Sequence, residues 1–196
     1  LCNPGALVIK TDMERAGDPF FFGYGSLVNR ATHDYPRAAR AKVRGWARVW
    51  RGTSLRQVAY LSATEAPGVE IEGLIAAVPG GDWRALDRRE AAYARHPLAM
   101  VEHDLPGRLS VMIYKVEAHH VSTAGPHPIL LSYLDVVVQG YLREFGPGGV
   151  ARFFETTRGW EVGVLDDRAA PQYPRAQVTT APDRAMVDAG LRDLGM

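Results

Sequence analysis

The sequence predicts an α+β protein, a small curved mixed sheet or barrel with helices around it, and three observations carry that reading. Six stretches of strand character, most of them bounded by Gly or Pro, fall between residues 19 and 118. One helical segment interrupts them, and helical patterns take over from about residue 128. The chain has 196 residues, 46% of them hydrophobic, enough for one well-filled core. Strands in series with helices inserted among them point to α+β layering rather than to repeated βαβ units.

Residues 1–18 mix charge, Gly and Pro without periodicity and are expected to form an arm; residues 19–196 are expected to form one domain. Strand character covers 19–26, 41–50, 57–63, 69–78, 98–104 and 109–118. In the second run Val43, Trp46 and Trp50 are interleaved with arginines, and Gly45 inside it predicts a bulge or a tight barrel corner. A helix is expected over 82–94, with Asp82 as its N-cap and Pro97 as its stop. A longer helix is expected over 128–145, ending at Gly146-Pro147-Gly148. A short helix at 149–157 follows, then a loop-rich tail with a last helix near 182–193.

Composition narrows the function. A formal net charge of +1 argues against a nucleic-acid or membrane surface, which would need a clustered basic excess. The single cysteine, Cys2, excludes an internal disulfide framework and a thiolate metal cluster. No run reaches the length of a membrane span, and the first ten residues lack a signal pattern. Leu1-Cys2 would suit a lipoprotein fragment only with sequence upstream of it, so the expectation is a soluble, cytoplasmic protein. Oligomeric state is not readable.

Two features carry the chemistry. The first is Pro19-Phe20-Phe21-Phe22-Gly23-Tyr24-Gly25-Ser26-Leu27-Val28, an aromatic strand running into a Gly-x-Gly-Ser loop. Gly23 and Gly25 permit backbone angles barred to other residues and a close approach of N–H groups to a ligand. Inward-turned N–H groups form a nest for a carboxylate or an oxyanion. A dinucleotide fingerprint does not fit, because Val28 stands where the third glycine would be. The second feature lies in the 82–94 segment. At about 100° per residue, Trp83, Leu86, Glu90 and Tyr93 share one arc, while Arg84, Arg88 and Arg89 point elsewhere. An inward Glu90 is either a general acid/base whose pKa is raised by burial, or a structural carboxylate paired with an arginine such as Arg44 or Arg95.

Together, Phe22-Gly23-Tyr24-Gly25-Ser26-Leu27 and Leu86-Asp87-Arg88-Arg89-Glu90-Ala91-Ala92-Tyr93 resemble the gamma-glutamylcyclotransferase superfamily, whose members carry a YGSL or YGSN strand end and a later LDxxE helix with a tyrosine following. The strand Glu70-Ile71-Glu72-Gly73-Leu74-Ile75 is similar to the family's E-x-x-G strand, so the resemblance spans about residues 19–117. It implies a small mixed β-barrel with peripheral helices, here with a helical C-terminal extension. It also implies an activity: the α-amine of a γ-glutamyl group attacks its own γ-carbonyl, giving 5-oxoproline and a released amine. By the family match Glu90 is the base and acid, and the backbone N–H groups of Gly25, Ser26 and Leu27 hold the glutamyl group. Tyr24 and Tyr93 wall the pocket, and neither metal nor organic cofactor is required. A glutathione-specific ChaC-like enzyme and a non-catalytic γ-glutamyl-binding module stand as alternatives. Where family members often have Gly after the glutamate, this chain has Ala91, so ordinary helix is expected there.

Other groups are given structural roles. His119 and His120 are adjacent at an expected strand end, facing opposite ways, and share a metal poorly; His96, His103 and His127 lack ligand spacing. His33 is expected in a solvated turn. Ser26 is not in a GxSxG elbow. Tyr133, Tyr141 and Phe145 are expected on a core-covering helix face. Glu70 and Glu72 are expected to face solvent, and Tyr173-Pro174-Arg175 to form a surface loop, although it could fold over the site with Arg175 clamping a carboxylate.

Overall fold

The computed structural model describes residues 17–196. The expected arm therefore lies, up to residue 16, outside the described residues, as does Cys2. Strand β1 (Phe20–Gly23) is buried along its whole length. Phe20 and Phe22 face the main core, and Phe21 faces a smaller one with Leu86 and Tyr114. A strand covered on both faces has no solvent side to make polar, which accounts for its unbroken aromatic run.

Strands β2 (Ala39–Gly52) and β3 (Ala59–Ala77) form a long antiparallel hairpin. The runs expected at 57–63 and 69–78 are thus one strand that passes through Pro67-Gly68. The bulge expected at Gly45 is present: its φ is 81°, and the register slips between Arg44↔Glu70 and Trp46↔Glu65. Next come helix α1 (Arg84–Arg89), β4 (Tyr93–Pro97), β5 (Glu102–His103) and β6 (Val111–Val116). The remaining elements are β7 (Ile129–Leu130), α2 (Leu131–Thr156), β8 (Thr157–Arg158), β9 (Val164–Leu165) and α3 (Ala181–Asp193). The main sheet runs β4-β6-β1-β3-β2-β5, with β8 beside β2; β7 and β9 pair separately. In the main sheet pairing is mostly antiparallel, with β1–β6 and β2–β8 parallel, and β7–β9 is parallel too. The main core lies between this sheet and α2. Among the described residues no helix is long and apolar enough to cross a membrane.

The structure departs from the sequence reading in three further places. The helix expected over 82–94 stops at Arg89, Glu90 caps it with φ −101° and ψ 35°, and Ala91 lies in a turn rather than in helix. Residues from Tyr93 onward instead pair with β6 in the register Tyr93↔Val116 to Pro97↔Met112, a ladder that overrides weak local helix preference. Of the strand expected at 98–104, only Glu102–His103 pairs, against Lys42 and Ala41. Finally, no pairing joins β4 to β5 among the described residues, so the expected barrel is hydrogen-bonded as an open, curved sheet. Inside the sheet, where β1 ends at Gly23 and no longer separates β3 from β6, side chains replace ladder bonds: Ser62 Oγ of β3 accepts from the Val116 N–H of β6 at 3.0 Å, and the Tyr24 hydroxyl donates to the Tyr114 carbonyl at 2.6 Å.

The break expected at Gly146-Pro147-Gly148 appears as a kink within α2, with Gly146 at φ 67° and ψ −171°. The last helix is as expected and opens with a capping box between Thr180 and Asp183.

One buried cation ties these layers together. Arg48 on β2 is 1% exposed. Its guanidinium donates to the Tyr24 carbonyl at 3.1 Å, the Thr156 hydroxyl at 2.8 Å, the Glu72 carbonyl and the Tyr141 hydroxyl. It also lies over the rings of Tyr141 and Phe153, 4.9 and 5.2 Å from their centroids. Replacing it by methionine leaves carbonyls of β1 and β3 underpaired. Arg48→Met is expected to destabilise by about 3 kcal/mol and lower Tm by roughly 6–12 °C, read by thermal circular dichroism. Arg48→Lys should recover less than half of that, because an ammonium cannot reach the same set of acceptors.

Candidate active site

The pocket forms where β1 stops and leaves β3 and β6 unpaired with each other. After Gly23 the chain passes Tyr24 and Gly25 and enters a 3-10 turn, Ser26–Val28. Gly25 has φ −121° and ψ −130°, neither helical nor extended, and its missing side chain also meets a packing need. A Cβ there would lie 2.6 Å from the Tyr133 hydroxyl and 3.3 Å from Leu61 Cδ2. A Cβ on Gly23 would meet Leu27 Cβ at 2.5 Å. Both glycines are spacers that let the loop fold back on itself and α2 approach it. The N–H groups of Ser26 and Leu27 open the turn and have no partner within it; that of Ser26 faces the Tyr133 hydroxyl.

Two chambers meet here. The inner one, about 30 Å³, is walled by the Gly23–Leu27 loop with Tyr93, Tyr114 and Tyr133. It has room for about two water-sized groups, the size of a carboxylate's oxygens. The outer one, about 190 Å³, is walled by Arg56, Tyr60, Leu130, Tyr173 and Arg175 among others. Ser26, Leu61, Glu90, Tyr93 and Tyr133 border both. Glu90 is the one carboxylate among the described residues lining either chamber.

Glu90 faces inward as the sequence reading expected, although the helical arc invoked for it ends one residue earlier. Its N–H donates to the Leu86 carbonyl at 2.9 Å, which fixes the turn that carries it. The side chain keeps 15% of its surface exposed. Burial pushes its pKa above the ordinary carboxylate value, while Arg89 and then Arg175 pull the other way. The arginines offered as structural partners are engaged elsewhere: Arg44 with Glu70 and Arg95 with Asp87, each at 2.9 Å. The partner is Arg89, whose Nε lies 3.2 Å from Glu90 Oε1 and whose side chain is 8% exposed. Arg89 was expected to point away, but the helical angle no longer applies where the helix ends. It also donates to the Thr32 carbonyl at 2.8 Å, Thr32 Oγ1 at 3.1 Å and Ser26 Oγ at 3.3 Å, joining Glu90 to the glycine loop.

Tyr24 and Tyr93 line the inner chamber. The Tyr93 hydroxyl donates to the Leu61 carbonyl at 3.0 Å. Burial pushes both phenols well above their ordinary pKa, so they remain neutral donors committed to backbone carbonyls. Tyr133 was read as core cover; it sits instead between the two chambers, its own pKa raised by burial.

The tail supplies a second wall. Asp167 accepts from the Ser132 N–H at 2.7 Å, the Ser132 hydroxyl at 2.6 Å and the Gln172 N–H at 2.8 Å. This anchor brings Tyr173 across the pocket, where its hydroxyl donates to Ser26 Oγ at 2.8 Å and its ring meets Tyr133 edge-on at 4.9 Å. Tyr173-Pro174-Arg175 is therefore pocket wall rather than surface loop. No periodicity marks such a segment, and the aromatic-Pro-Arg sequence was the one available signal.

The remaining candidates lie outside the chambers. His33 packs edge-on against Phe21 and bonds the Leu27 carbonyl at 3.0 Å, supporting the loop from behind. His119 and His120 sit on a 3-10 turn rather than a strand, their rings 4.0 Å apart, and with Glu117 they form a group whose ligand atoms lie within 4.8 Å. Glu72 is buried rather than solvent-facing, since Arg152 of α2 covers it with contacts of 2.8 and 3.0 Å. Glu70 is half-buried, between Lys42 and Arg44.

No protein-family model and no curated protein matches the sequence. Solved structures match the fold. A gamma-glutamyl cyclotransferase superposes with a TM-score of 0.53 at 13% identity, over 89% of this chain and 99% of that one. An uncharacterized protein from Homo sapiens gives 0.55 at 14% identity, over 89% and 99%. YkqA from Bacillus subtilis gives 0.54 at 18% identity, over 72% of this chain and 56% of that one. The chain has the gamma-glutamyl cyclotransferase fold.

Gly25→Ala tests the spacer role. Overpacking against Tyr133 is expected to destabilise by about 1–3 kcal/mol. In the double variant Gly25→Ala/Tyr133→Phe the clashing oxygen is gone, so most of that loss should return in a melting experiment. A double variant no more stable than Gly25→Ala would show that the strain lies in the backbone instead.

Proposed function

We propose that this protein converts a γ-glutamyl amide or peptide into 5-oxoproline and releases the amine, with Glu90 carrying the protons. The observation that supports this most is the position of Glu90, a single buried carboxylate on the boundary between a backbone-walled hollow and a larger open chamber. The fold shared with a solved gamma-glutamyl cyclotransferase supports the same reading.

The reaction is intramolecular, so the pocket contributes chiefly by holding the glutamyl chain in its cyclising shape. In this reading the α-carboxylate of the glutamyl group enters the inner chamber, beside the Leu27 N–H and the Ser26 N–H that now faces the Tyr133 hydroxyl. The α-nitrogen forms a bond to the γ-carbon, and the bond from that carbon to the leaving nitrogen breaks. The α-ammonium gives up two protons and the leaving nitrogen gains two. Glu90 takes a proton as carboxylate and returns it as carboxylic acid, a task suited to a carboxyl group raised towards neutrality. No water is consumed, and walls of Tyr24, Tyr93 and Tyr133 keep it away from the reacting carbonyl.

Release of 5-oxoproline from γ-glutamyl-alanine, γ-glutamyl-lysine and glutathione tests the reading. Glu90→Gln should lower kcat/KM by roughly 10²–10⁴-fold. Because a raised carboxyl pKa makes the ionised form costly, the same variant should melt no lower than wild type near neutrality. Turnover that survives Glu90→Gln would end the mechanism. Binding of γ-glutamyl compounds without any turnover would identify a binding module.

The base must be ionised to act, so activity should fall on acidification, with a midpoint above the ordinary carboxylate range. Arg89 holds the ionised form, so Arg89→Gln should move that midpoint upward in the pH profile of kcat/KM. An unmoved midpoint would mean that Arg89 acts on the loop alone.

A further inference from the structure

Neither arginine on the outer chamber, Arg56 or Arg175, touches the reacting atoms in the chemistry just described, although the charge of Arg175 helps to hold the Glu90 pKa down. Arg56 lies in the loop between β2 and β3, and Arg175 in the tail; both are exposed on the chamber side and both wall it. Elsewhere, arginines that border the folded body are spoken for: Arg30, Arg89, Arg152 and Arg168 each lie within 4.0 Å of a carboxylate oxygen. Arg56 and Arg175 make no such pair among the described residues. Other unpaired arginines are scattered on the surface, whereas these two converge on one cavity.

Their backbones are held. On the Arg56 side, the Ala59 N–H donates to the Pro128 carbonyl and the Ser54 N–H to the His120 carbonyl, each at 2.9 Å. On the Arg175 side, Tyr173 is bound to Ser26 and Ser132, and the Ala176 N–H closes a turn onto the Tyr173 carbonyl at 3.0 Å. Val58, Tyr60, Leu130 and Pro174, which line the same chamber, are uncharged. The carboxylate in the chamber, Glu90, is already matched by Arg89 at its inner end. The outer chamber thus carries three guanidinium groups, Arg56, Arg89 and Arg175, against one carboxylate, Glu90, and is net positive.

We propose that Arg56 and Arg175 form a subsite for a carboxylate on the leaving group, so that the substrates are γ-glutamyl amino acids or peptides rather than γ-glutamyl amines. This rests on the reading of the inner chamber as the glutamyl site. A leaving amine that carries a carboxylate completes the charge of the chamber, and a guanidinium offers it paired donors. A neutral leaving group gains nothing there, and a cationic one is repelled.

Binding can be read apart from turnover with glutaryl-alanine, which lacks the α-amine and cannot cyclise, and its neutral counterpart glutaryl-alaninamide. In calorimetric titration of the wild-type protein the acid is expected to bind about tenfold tighter than the amide. Arg56→Gln and Arg175→Gln should each reduce that margin severalfold and leave the amide's affinity unchanged, and the double variant should abolish it. Both side chains are exposed, so these variants keep the fold. Raising the salt concentration should shrink the margin. Equal affinity for acid and amide, or a margin that persists in the double variant, would overturn the subsite. A parallel 5-oxoproline assay with γ-glutamyl-alanine and γ-glutamyl-alaninamide separates the two levels. A preference for the acid carried by KM supports the subsite in turnover. A binding margin with no 5-oxoproline from either compound would keep the subsite and remove the cyclisation.

Discussion

The buried guanidinium of Arg48 is the interaction on which the rest of the structure depends. It has no carboxylate partner among the described residues; carbonyls, hydroxyls and ring faces solvate it instead. A planar fork of donors suits several acceptors at fixed angles, and it stays charged. The acceptors belong to the end of β1, to β3 and to α2. Tyr141, pushed by burial up to about 12 with Arg48 pulling the other way, remains a neutral hydroxyl that faces the carbonyls of both Tyr24 and Glu72. The same three elements supply Tyr24, Leu61 and Tyr133 to the pocket. Fixing their separation fixes the chambers.

The early end of β1 is what leaves room for a site. Beyond Gly23 a continuous ladder would pair the backbone of β3 near Leu61 with that of β6. Here the Leu61 carbonyl takes a phenol from Tyr93, and the Val116 N–H takes a hydroxyl from Ser62. Side chains are longer than a ladder bond and hold the strands further apart. The glycine loop after β1 fills part of the gap, and the remainder is the inner chamber. Because the hydroxyls of Tyr24 and Tyr93 are spent on this bridging, Glu90 is left as the side chain on the shared wall suited to carrying a proton.

Much of this was legible in the sequence where local physics decides. The double burial of β1 is written in its three phenylalanines, the bulge in Gly45, the kink of α2 in Gly146-Pro147. Elements decided by partners were not legible. Tyr93 and Ala94 read as the end of a helix because the local composition favours it, and only β6 makes 93–97 a strand. Glu72 and Glu70 alternate alike on β3, yet only Glu72 is covered, by Arg152 of a helix far along the chain. Tyr133 lies on the apolar side of α2 as any core residue would; what distinguishes it is the missing Cβ of Gly25 opposite. Tyr173 and Arg175 reach the pocket through the Ser132–Asp167 anchor, a pairing 35 residues apart with no local pattern.

Glu90 turned inward even though the helix expected to turn it does not extend that far, and the reason lies in what surrounds it. The residue caps a short helix whose Leu86 is fully buried, so the turn has one way to face. Placing an ionised carboxylate there opposes folding. With its pKa raised in the folded state, stability declines as pH rises from the ordinary carboxylate value through the folded one, and the cost persists above it. Arg89 sets how large that cost is. Without Arg89, burial would favour the neutral acid, a poor base. A close two-pronged pair would favour the carboxylate and make a poor acid. The observed contact is a single one at 3.2 Å, with the other donors of Arg89 committed to Thr32 and Ser26. In the proposed reaction that arrangement would suit Glu90 both to take a proton and to give it back.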